Sequence, residues 1–184
     1  KKDNMKFTPT TIPGLVIIRP AVFGDDRGYF FESYNREKFM AAGLNPEFRQ
    51  DNESCSKKGV VRGLHFQAPP FEQGKLVRVV RGAVLDVAVD IRKGSPTYGK
   101  WESVVLTGEN KTMFWIPPGF AHGFATLEDD TVFFYKCTNV YDKASEGSII
   151  WNDPDLGIDW GVETPVISGK DQLCPRFRDL QSPF

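Results

Sequence analysis

The chain has two histidines, His65 in RGLHFQ (Arg62 to Gln67) and His122 in PPGFAHGF (Pro117 to Phe124). The metal site of a jelly-roll β-barrel, three imidazoles and a carboxylate, would need a His-x-His pair on one strand, but the residue two places after His65 is Gln67. With one histidine per segment and no cysteine cluster, these residue types suit proton transfer better than metal binding. A neutral imidazole, with an ordinary pKa near ~6.5, accepts a proton near neutral pH, and a phenol near ~10 donates one. Tyr135 in FFYKCT (Phe133 to Thr138), Lys75 in EQGKLVR (Glu72 to Arg78) and Asp171 in SGKDQ (Ser168 to Gln172) complete the candidates. Each also has an ordinary structural use: a packed tyrosine with its hydroxyl satisfied, a snorkelling lysine, a solvated loop carboxylate. The ordinary use of a lone histidine is a hydrogen-bonded place in core or surface.

The elements that must hold these groups read as short strands, rich in β-branched and aromatic residues and broken by Gly, Pro, Asn and Asp turns. The expected class is all-β, a sandwich or barrel. Val84 to Ile91 is the clearest strand: Leu85, Val87, Val89 and Ile91 face one way, and Val84, Asp86, Ala88 and Asp90 the other. Further strands are expected at Leu15 to Arg19, Gly28 to Tyr34, Phe48 to Ser54, Val60 to Phe66, Leu76 to Val80, Trp101 to Leu106, Thr112 to Ile116, Phe120 to Thr126 and Thr131 to Cys137. One short helix is expected at Arg36 to Ala42, capped by Asn35 and ended by Gly43. After Ile150 the chain becomes rich in Pro, Gly, Asp and Trp, and is expected to wrap the core or a partner.

Strand alternation puts His65 on one side with Val61, Gly63 and Gln67, and places His122 among Phe120 and Phe124. Two imidazoles turned into a barrel are costly without polar partners, and a polar ligand pocket removes that cost. The same alternation sends Arg62 to the opposite side from His65. Both reach one ligand only if Gly63 sits at a bulge, or if Arg62 approaches from the rim or across a dimer contact.

A length of 184 residues suits one domain, residues 1–184, with a core at about 12–150 and a wrapping tail at 151–184. The 23 Lys plus Arg nearly balance the 24 Asp plus Glu, which gives no case for nucleic acid or an acidic membrane surface. No stretch approaches the ~20 apolar residues of a membrane span, and Lys1 to Pro13 has no apolar run of the signal type. Cys55, Cys137 and Cys174 lie far apart and suit reduced thiols in a cytoplasmic protein.

Several segments in order closely resemble the dTDP-4-dehydrorhamnose 3,5-epimerase family. They are FGDDRGYFFESY (Phe23 to Tyr34), QDNESCSKKGVVRGLHFQ (Gln50 to Gln67), QGKLVRVVRGAVLDVAVDIRKGSPTYGKW (Gln73 to Trp101), WIPPGFAHGF (Trp115 to Phe124), YKCTNVY (Tyr135 to Tyr141), EGSIIWNDPDLGIDW (Glu146 to Trp160) and SGKD (Ser168 to Asp171). The resemblance runs from about Ile12 to Asp171. It implies a cupin-type jelly-roll barrel, a homodimer, no metal or other cofactor, and conversion of dTDP-4-dehydro-6-deoxy-glucose to dTDP-4-dehydro-L-rhamnose. By matched position, it makes His65 the general base oriented by Asp171, Tyr135 the general acid on the opposite face of the sugar, and Lys75 the enolate-stabilising cation. It places Arg27, Glu32, Gln50, Asn52, Arg62, His122, Glu146 and Lys170 around the substrate, the basic ones near the pyrophosphate, and Phe23 near the base or sugar.

Three other readings stay open at this level. A relative that inverts only C3 or only C5 would share the base, acid and lysine. A non-catalytic nucleotide-sugar-binding cupin would keep the arginines without needing an acid and base together. A metal-dependent cupin is disfavoured by the histidine count.

Overall fold

The computed structural model describes residues 4–184, so residues 1–3 of the expected domain lie outside it. Among the described residues the strands are β1 (Lys6–Pro9), β2 (Val16–Arg19), β3 (Val22–Asp25), β4 (Gly28–Phe31), β5 (Gln50–Ser56), β6 (Val61–Gln67), β7 (Lys75–Arg81), β8 (Ala83–Asp90), β9 (Trp101–Thr107), β10 (Met113–Ile116), β11 (Phe120–Thr126), β12 (Thr131–Cys137) and β13 (Glu146–Ser148). One antiparallel sheet runs β1-β2-β10-β7-β12-β5 and a second runs β13-β6-β11-β8-β9. From β5 onward the chain passes between the sheets at nearly every connection, which gives the double-sheet jelly roll of the cupin type. The strands β3 and β4 form a separate hairpin.

The alternation read from the sequence sorts side chains into layers. Val84 and Ala88 of β8 join Val77, Phe114, Phe124 and Phe133 between the sheets. Val87, Val89 and Ile91 face outward and are covered by Leu156 and Trp160 of the tail. The tail therefore packs on the second sheet and holds an otherwise exposed apolar face out of water. The first sheet's outer face is covered in part by α1 (Arg36–Ala41), whose Phe39 packs with Ile18, Leu76 and Met113. Asn35 accepts from the Lys38 N–H and caps this helix, which ends at Ala41, one residue before the expected Ala42.

One local irregularity shapes the interior. Between the pairs His122↔His65 and Phe124↔Arg62, β11 advances two residues while β6 advances three, so β6 carries one extra residue at Gly63 and Leu64. The extra residue reverses the alternation. Val61 and Leu64 pack outward in the tail-covered layer, whereas Arg62 and His65 both turn inward. The expected sharing of one face by Val61 and His65 is therefore corrected. Gly63 has φ +122°, and a Cβ there would lie 2.7 Å from the Gly123 Cα and 2.8 Å from the His122 carbonyl oxygen. Only glycine fits this close approach of two backbones.

Candidate active site

The two sheets and the tail enclose a cavity of about 310 Å³. The first sheet supplies Lys75 from β7, Asn52 from β5 and Tyr135 from β12. The second supplies Arg62 and His65 from β6 and His122 from β11. The tail contributes Ser168, Lys170 and Asp171. His65 and Tyr135 thus stand on opposing walls of one space.

The Asp171 carboxylate, 106 residues from His65 in sequence, accepts from His65 Nε2 at 2.6 Å with Oδ1. Its Oδ2 accepts from the bulge N–H of Gly63 at 3.1 Å. Asp171 is held there by α2 (Gly169–Gln172), whose first turn is capped by Ser168 accepting from the Asp171 N–H. With Nε2 donating to a carboxylate, the lone pair of neutral His65 resides on Nδ1. Burial depresses the His65 pKa below its ordinary value, Asp171 opposes that shift, and Lys75 and Lys170 add to it. The imidazole is therefore neutral and able to accept a proton at pH 7.

Tyr135 is pushed the other way. Burial raises its phenol pKa, while the hydrogen bond with Asn52 and the charge of Arg62 partly oppose the rise. The phenol stays protonated at neutral pH. The buried Lys75 ammonium lies 5.9 Å from the centroid of the Tyr135 ring. Burial lowers its pKa, against the fields of Cys137 and Asp86.

The remaining expected site residues divide. Arg62 lines the cavity and donates from Nε to Ser56 Oγ at 3.1 Å. Lys170 lines it as well and pairs with Glu146 at 3.2 Å, which ties Glu146 of β13 to its rim. Gln50 stands behind the wall, donating to Asn52 Oδ1 at 3.0 Å and accepting from the Tyr141 N–H at 2.9 Å. Arg27, Glu32 and Phe23 are not brought to this cavity within one chain. Arg27 forks onto Asp25 at 2.6 Å on the exposed β3–β4 hairpin, and Glu32 pairs with Lys38 at 2.9 Å. Phe23 lies on the same hairpin, half exposed. One carboxylate had no role assigned from sequence: fully buried Asp86 accepts from His122 Nε2 at 2.7 Å. Its inward parity on β8 was the available signal.

A sequence model described as dTDP-4-dehydrorhamnose 3,5-epimerase matches residues 9–179. The chain belongs to the dTDP-4-dehydrorhamnose 3,5-epimerase family. The family enzyme of Shigella flexneri is 53% identical over 176 residues, covering 95% of this chain and 97% of that one. The crystal structure of a 3,5-epimerase from Legionella pneumophila in complex with dTDP-4-keto-L-rhamnose is 48% identical, with a TM-score of 0.93 over 97% of this chain and 95% of that one. A 3'-monoepimerase from Streptomyces bikiniensis, solved with dTDP-quinovose, is 38% identical, with a TM-score of 0.87 over 91% of this chain and 86% of that one. The epimerase fold is thus common to enzymes of single and double action. The higher identities here are to those named 3,5-epimerases.

Proposed function

We propose that this 3,5-epimerase inverts C3 and C5 of dTDP-4-dehydro-6-deoxy-glucose with His65 as base and Tyr135 as acid. The observation that carries this reading is their placement on opposing walls of one cavity. Both carbons flank the C4 ketone. When His65 takes the proton, the C–H electron pair moves into the ring and charge builds on the ketone oxygen, where the Lys75 ammonium stabilises it. Tyr135 then gives its proton to the carbon from the far face. Each inversion leaves an imidazolium and a phenolate, which proton exchange with water resets. Asp171 fixes the His65 tautomer and steadies the imidazolium. Arg62 and Lys170 supply the positive charge that a pyrophosphate requires.

The conversion is tested by solvent deuterium uptake at C3 and C5, read by proton NMR on dTDP-4-dehydro-6-deoxy-glucose. Label at both carbons is expected. Label at one carbon alone would favour a single-site epimerase instead.

We further read residues 12–150 and the tail as one domain, because Leu156 and Trp160 share a packed layer with strand residues. A homodimer is supported by the β3–β4 hairpin, where Phe23, Tyr29 and Phe30 are 50%, 62% and 68% exposed. An exposed aromatic hairpin suits insertion into a second copy, and would carry Arg27 and Glu32 to that copy's cavity. A cytoplasmic location fits the three free cysteines. Among the described residues, no helix is long and apolar enough to cross a membrane.

A further inference from the structure

Asp86 is fully buried on the inward face of β8, and the Lys75 side chain approaches the interior from the opposite sheet. Its Oδ1 accepts from His122 Nε2, and its Oδ2 has no hydrogen-bond partner among the described residues. Burial disfavours the charged form of a carboxylate so placed and raises its pKa, and the His122 ring and the Lys75 ammonium oppose that rise. The charged and titratable groups that act on Lys75 or line the cavity with it come from five strands and the tail: Glu53 from β5, Arg62 and His65 from β6, Asp86 from β8, His122 from β11, Tyr135 and Cys137 from β12, and Lys170 and Asp171 from the tail. Burial pushes the Cys137 thiol up to about 11, so it is uncharged at neutral pH. Tyr135 is a neutral phenol, and Asp171 is engaged by His65 and Gly63. Asp86 is the carboxylate whose field reaches the ammonium.

We propose that Asp86 is a positioning residue that keeps Lys75 cationic inside the barrel and fixes the His122 ring, so that the ammonium is charged when the C4 oxygen becomes an enolate. This rests on the assignment of Lys75 to that oxygen. Without a counter-ion, a lysine in this setting sheds its proton more easily, and a neutral amine stabilises an enolate poorly.

Asp86→Asn keeps the shape and an acceptor for His122 but removes the charge. It is expected to move the alkaline limb of the kcat profile down by about one pH unit and to lower kcat above that limb about tenfold. Binding of dTDP, measured by calorimetry, should stay within about twofold of wild type. An unmoved limb combined with weakened dTDP binding would make Asp86 merely structural and overturn the proposal. Asp86→Glu retains the charge and should retain the limb, which serves where Asp86→Asn does not fold. A limb that falls with glutamate present also overturns it. Lys75→Met separates the two levels: if deuterium uptake at C3 survives in that variant, the assignment of Lys75 falls and this proposal with it. If uptake is lost but the Asp86→Asn limb stays put, only the role of Asp86 falls.

Discussion

The Asp171 carboxylate bridges the His65 imidazole, at 2.6 Å, and the N–H of Gly63, at 3.1 Å, so the β6 bulge and the His65–Asp171 pair form one construction. The residue that disturbs the strand also supplies the hydrogen bond that aims the carboxylate. His65→Ala should therefore abolish turnover, while dTDP binding changes by no more than a few-fold. Asp171→Asn should lower kcat by about 10²-fold or more, because the amide no longer steadies the imidazolium. Steady-state kinetics alongside dTDP calorimetry checks both. Unchanged turnover in His65→Ala would remove it from the mechanism.

The acid limb of kcat/KM should lie below pH ~6.5, the ordinary imidazole value, because burial holds the His65 pKa down. The active form is neutral, so activity rises with pH through the depressed pKa and is level by neutrality. Asp171 acts to raise that pKa, so Asp171→Asn should carry the limb to still lower pH even as the plateau falls. The unfolded chain binds this proton first, so the same group subtracts stability as pH falls below ~6.5. A wild-type limb above 6.5 would contradict the argument.

Tyr135→Phe separates proton removal from inversion. His65 still takes a proton and returns one, from solvent, to the same face. Deuterium should therefore enter substrate with retained configuration while product formation drops by about 10²-fold or more. NMR of recovered substrate shows which occurs. Normal product formation in this variant would require another acid.

Much of this site is legible from local pattern. Inward and outward residues of Val84 to Ile91 follow strand alternation, and Asn35 caps its helix as its type requires. His65 and His122 line one polar cavity, of the kind that the cost of burying imidazoles implied, and Lys75 and Tyr135 line it with them. The remainder depends on long-range pairing. The turn of Arg62 toward His65 needs one extra residue on β6, visible only once β11 is laid beside it. Asp171 reaches His65 from an irregular tail through packing that no local period encodes. Short edge strands such as β1, β3 and β13 carry too few residues for alternation to declare itself.

Gly63→Ala tests the bulge directly. A Cβ at φ +122° is strained, and it would meet the backbone of His122 and Gly123 within 2.8 Å. Stability should fall by on the order of 2 kcal/mol or more in urea unfolding. Activity in the remaining folded fraction should fall too, since the Gly63 N–H that aims Asp171 is displaced. A variant with wild-type stability and activity would mean that the strand tolerates a different path.

The location of Arg27 yields the last test. Its side chain is 90% exposed on the hairpin and does not line the His65 cavity that the family resemblance assigns it to. If the hairpin of one copy completes the cavity of another, Arg27→Ala and His65→Ala each disable every site in their own homodimers. In a heterodimer, however, one cavity combines the intact His65 of one chain with the intact Arg27 of the other, and the second cavity collects both defects. Random reassortment makes half the dimers mixed, each with one working site of two, so activity should recover to about a quarter of wild type. Mixing the two inactive proteins after mild dissociation, with activity and sedimentation measured together, reads this out. Recovery absent from demonstrably mixed dimers would place Arg27 outside a shared site, because each site would then depend on residues of one chain alone.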